Sequence, residues 1–84
     1  GVKMQISDSS RKEYIELIRL EEEAEKTYND LVDAVFSCVF NEDLDLYHDL
    51  YVKRNVAFAR LQDCRSHRRF IAMRILDGML FPEK

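Results

Sequence analysis

The densest set of chemically capable side chains lies between Lys53 and Arg74, where Lys53, Arg54, Arg60, Arg65, His67, Arg68, Arg69 and Arg74 fall within 22 residues. Arginines along one helix can track a phosphate backbone, and Arg65, Arg68 and Arg69 are the residues such contact would use. The competing reading is structural: the chain as a whole is acidic, at a formal net charge of −3, and acids elsewhere in the fold would neutralise this run. Asp45-x-x-His48 has the spacing of a helical iron-ligand pair, but a di-iron bundle site needs two such pairs and further carboxylates. His48 and His67 therefore read as surface or boundary residues. No serine or cysteine sits in a nucleophile elbow and no glycine-rich loop is present to cradle phosphate, so no catalytic residue is assigned.

The carboxylates form a second pattern. Glu22-x-x-Glu25 is followed by Glu42-x-x-Asp45, and this resembles the metal-binding pattern of the all-α MazG-type nucleoside-triphosphate pyrophosphohydrolases. The resemblance implies carboxylates one turn apart on facing helices holding magnesium against a triphosphate. It is the third functional reading, because within one chain Glu42 lies far along the molecule from Glu22. A second chain would have to bring the two pairs together.

These side chains need helices to carry them. In 84 residues there are two glycines, one proline and 35% charged residues, a composition that favours helix over sheet, loop or disorder. Ser10 followed by Glu13 has the form of a capping box, so helix one is predicted over 10–40 after a leader at 1–9. Its seam is Tyr14, Leu17, Glu21, Ala24, Tyr28, Leu31, Val35 and Cys38, at alternating spacings of three and four, with Ile18, Val32, Phe36 and Val39 widening it. Residues 41–43 read as the turn, with Asn41 capping helix two. Helix two is predicted over 44–80, with a kink near Ser66. Its seam is Tyr47, Leu50, Arg54, Ala57, Leu61, Cys64, Arg68, Ile71 and Ile75 at the same spacings.

Two long helices with a short connection must lie antiparallel. The fold predicted is all-α, a single helical-hairpin domain, and a turn near 41 makes facing residues add to about 82. Residues 1–50 hold five basic and thirteen acidic side chains, residues 51–84 eight and three. The rule sets Glu13 on Arg69, Glu16 on Arg65, Glu22 on Arg60 and Asp30 on Lys53. It also leaves the end of helix two overhanging by about two turns, with Ile71, Ile75, Leu76, Met79, Leu80 and Phe81 as an apolar partner interface. Met4 and Ile6 of the leader are the local alternative cover for it.

A hairpin of this size has a thin core, which favours a homodimer forming a four-helix bundle. The function expected is non-enzymatic: a small dimeric adaptor, regulator or assembly factor with a protein partner of unspecified identity. Nucleic-acid binding is the alternative. No cofactor and no metal are expected. Cys38 and Cys64 sit in apolar patterns as small hydrophobes, which fits a reducing cytoplasm. No stretch has the ~18 uncharged apolar residues of a membrane span.

Overall fold

The computed structural model describes residues 6–80, with side chains to residue 78. Two helices account for nearly all of it: α1, Asp8–Asn41, and α2, Leu44–Leu80. They pack along their lengths as an antiparallel hairpin of 64 × 17 × 14 Å. Helix α2 runs without a break through Ser66. A polar run without proline or glycine at that point gives the backbone no reason to break.

Both helix caps differ from the sequence expectation. Helix α1 begins at Asp8 because Ser7, not Ser10, is its N-cap: the Ser10 N–H donates to Ser7 Oγ at 3.1 Å and the Arg11 N–H donates to the Ser7 carbonyl at 3.0 Å. Where several residues can cap, the helix extends to the outermost one that satisfies its free N–H groups. At the other end Glu42 adopts a left-handed conformation (φ 58°, ψ 30°), and its N–H reaches the Val39 carbonyl while the Asp43 N–H reaches that of Cys38. This is a Schellman closure made without glycine. Asp43 then caps α2, accepting from the Leu46 N–H at 3.2 Å. Asn41, the expected cap, is the last residue of α1.

The turn is therefore Glu42–Asp43, and facing residues add to about 85 instead of 82. Tyr28 and Phe58, whose ring centroids lie 5.5 Å apart, illustrate the register. The four expected charge pairs do not form among the described residues. Glu16 binds Arg19 on its own helix, Lys53 binds Asp49, and Arg65 goes to Glu21. The new register also places Ser10 and Tyr14 beside Ile75, so the overhang shrinks to about one turn.

Every residue of both predicted seams is buried or half-buried. The buried apolar set is Leu17, Ala24, Cys38, Ala57, Leu61 and Ile71, which is a thin core. Exposed surface totals 6996 Å², against about 5,200 Å² for a compact 10 kDa globule. A two-helix layer has no second layer to close against. Among the described residues, no helix is long and apolar enough to cross a membrane.

Candidate functional site

Glu21 is the one charged residue in the α1 seam, and Arg68 is one of two in the α2 seam. The structure brings them together: Arg68 donates through Nε to Glu21 Oε2 and through Nη2 to Oε1 at 3.3 Å, while Arg65 Nε approaches Glu21 Oε1 at 3.5 Å. The Glu21 side chain is 15% exposed. Its hydrogen bond holds the Arg68 guanidinium above the ordinary arginine range, with Tyr14 as the next contributor. Two of the three arginines expected to face phosphate are thus engaged by the fold, and Arg69 is exposed with no acidic partner among the described residues.

The carboxylates are not gathered. Glu22 and Glu25 are exposed midway along α1, Glu42 is in the turn, and Asp45 is in the first turn of α2. From Glu25 to Glu42 the helix rise covers about 25 Å, beyond the span of one ion. Among the described residues no group of three or more His, Cys, Asp and Glu side chains has metal-binding geometry. His48 lies edge-on to Tyr47, centroids 5.6 Å apart, and His67 is exposed. Cys38 is buried and Cys64 half-buried, both as free thiols.

What the hairpin does present is apolar surface, distributed unevenly around it. Helix geometry divides each flank of the seam into two rows. On one broad side the rows bring Ile15, Ile18, Val32, Phe36 and Val39 from α1 beside Leu44, Tyr51, Phe58, Ala72 and Leu76 from α2. Seven of these ten are exposed large hydrophobics, Leu44 at 70% and Phe36 at 61%. Two apolar grooves lie on this side. One, of about 420 Å³, is lined by Cys38, Val39, Glu42, Leu44 and Tyr47 at the turn; the other, of about 270 Å³, by Ile6, Tyr14, Ala72, Ile75 and Leu76 at the far end. The opposite side is mixed: charged residues such as Glu13, Glu23, Arg60 and Arg74 line its small clefts together with Ala24, Ala57 and Ile71, and Leu46, Val56 and Phe70 are exposed there.

Of the interface residues expected at the end of α2, Ile71 is buried in the seam, Ile75 is half-buried and Leu76 is exposed. The side chains of Met79 and Leu80, and all of Met4 and Phe81, lie outside the described residues. Ile6 is half-buried in the far groove, so part of the leader does line it.

Helix α2 carries a second stripe that sequence reasoning missed. Val52, Val56, Ala59, Asp63, Ser66, Phe70 and Met73 recur at spacings of four and three, as the seam does, but on the side of α2 turned away from α1. The signal was readable as a second heptad offset from the first. It was masked because an eye following one seam treats everything outside it as surface.

Compared with protein-family models, curated proteins and solved structures, the chain matches none.

Proposed function

We propose that this chain is a non-enzymatic protein interaction module that works as a homodimer, two hairpins meeting through their broad apolar sides as a four-helix bundle. The observation that carries the reading is the one-sided exposure of Phe36, Val39, Leu44, Tyr51 and Phe58 on a fold whose own core is six residues. Apolar surface removed from water is worth about 25 cal/mol per Å², so a second layer supplies stability that one hairpin lacks.

Charge selects the orientation. A two-fold axis along the hairpin joins turn to turn and lays the acidic α1 of one copy on the basic α2 of the other. Glu22 then lies within about 3 Å of the level of the partner's Arg65 along the axis, by helix rise. An axis across the hairpin instead lays α1 on α1, acid against acid, which opposes association. The bundle leaves its outer surfaces for a further protein, in the manner of an adaptor or assembly factor.

Sedimentation equilibrium at micromolar concentration tests the pairing. The expected result is a dimer that Leu44→Glu converts to folded or partly folded monomer. A wild-type monomer at that concentration overturns it.

A further inference from the structure

The outer stripe of α2 is the second apolar surface of the molecule, and it is not part of the broad side. We infer that it binds an amphipathic helix of another protein whose apolar ridge is flanked by acidic residues.

Four large members of the stripe, Val52, Val56, Phe70 and Met73, are each more than half exposed. Their spacing of three and four is the spacing a helix reads, because alternate ridges of a partner helix drop between them. With apolar residues on two opposite faces, α2 is built to be packed from both sides, by α1 on one and by a second helix on the other. The outer face of α1 has no such stripe: Glu16, Arg19, Glu23, Lys26, Asp30 and Asp33 occupy it.

The occupant's charge follows from the rows that border the stripe. From residue 46 to residue 76 those rows hold Lys53, Arg60, His67, Arg69 and Arg74 and no aspartate or glutamate. Of these, Lys53 has an acidic partner, Asp49. Arg60, Arg69 and Arg74 make no ion pair among the described residues, and Arg74 lies 5.9 Å from the centre of the Phe70 ring. A ridge flanked by glutamates meets this border favourably, and one flanked by lysines meets repulsion.

A second copy does not fit: its α2 carries the same basic borders, and its α1 has no outer ridge to offer. A nucleic-acid backbone has no use for Val52, Val56, Phe70 and Met73, and would meet the carboxylate of Asp63 in mid-stripe. Asp63 interrupts this stripe as Glu21 interrupts the seam of α1. It asks for one basic or amide side chain at the middle of the incoming ridge. The stripe faces away from the dimer surface, so the inference stands or falls apart from the pairing proposed above.

The test uses two synthetic four-heptad peptides with identical leucine ridges, one flanked by glutamates and one by lysines, and a duplex DNA of arbitrary sequence. Binding of each to the full chain is read by fluorescence anisotropy. The glutamate peptide is expected to bind at least about tenfold more tightly than the lysine peptide, and Val56→Glu with Phe70→Glu should remove that binding. Reversing the border on the side away from the dimer surface, with Arg60→Glu and Arg74→Glu, should invert the preference. These sites are exposed, so circular dichroism should report an unchanged hairpin, and if the apolar variant unfolds, the border reversal alone decides. Equal affinity for the two peptides, no binding of either, an unchanged preference after reversal, or binding of the DNA in place of the glutamate peptide each overturns the inference.

Discussion

Glu21 and Arg68 are polar interruptions in two otherwise apolar seams, and they meet each other across the hairpin. Either side chain alone would leave a charge among apolar neighbours; together, with Arg65 and Tyr14, they satisfy each other. Such a pair contributes less to stability than a well-packed apolar pair, but it makes slipped registers costly. The expected outcome is an asymmetry between single and double replacement. Glu21→Leu or Arg68→Leu should each lower the melting temperature by several degrees, whereas the double leucine variant should recover the loss or exceed the wild type. Thermal melts followed by circular dichroism check this, and additive losses would show that the pair is not coupled.

Glu42 holds a left-handed backbone conformation that glycine adopts without steric cost. Glu42→Gly should therefore stabilise the hairpin by about 0.5–1 kcal/mol, although glycine also loosens the unfolded chain. A β-branched residue at 42 should destabilise it. Urea titration of the glycine and valine variants gives the comparison.

Capping of α2 separates Asp43 from Asn41. Removing the Asp43 carboxylate with Asp43→Ala should cost about 0.5–2 kcal/mol, while Asn41→Ala should be close to neutral. A larger loss at 41 than at 43 in denaturant midpoints would place the turn where the sequence suggested.

Leu61 is the most deeply buried side chain, 2% exposed. Leu61→Ala should cost about 2–4 kcal/mol. In so thin a core, that is a large share of the total, so the variant should melt broadly or be unfolded at ambient temperature.

Acid should weaken α1 through Glu16. The hydrogen bond from Arg19 is the main cause that keeps its carboxyl below the ordinary value of 4.5, with their charge attraction adding to it. A depressed carboxylate stabilises the fold above its unfolded-state value, and the contribution disappears as pH falls through the folded-state one. Glu16→Gln should accordingly flatten the acid limb of the stability curve below about pH 4.5. The effect is small for so exposed a pair.

Helix content, hairpin topology and seam membership were legible in the sequence because each rests on a period that repeats many times, from Tyr14 to Cys38 and from Tyr47 to Ile75. Register was not legible, because it rests on one turn. Asn41 and Asp43 are equally good caps by residue type, and nothing marks Glu42 as the residue that will take a left-handed conformation. Moving the turn by little more than one residue moved every facing pair by about three, and with it each expected charge pair. Of the apolar interface expected at the end of α2, Leu76 is exposed among the described residues. The larger exposures of Phe36, Leu44 and Val56 were not legible, since exposure depends on which side of each helix the partner occupies.

A connection of only two residues means that almost no loop entropy opposes the first contacts, those beside the turn. Each later contact closes a slightly longer loop than the one before it, so the helices can zip outward from the turn in sequence. The open end of the hairpin, around Ser10 and Ile75, is then the last part to join and the first to fray. A partner that grips the turn end would seize the molecule where it is most firmly made, and one that grips the far end could complete it.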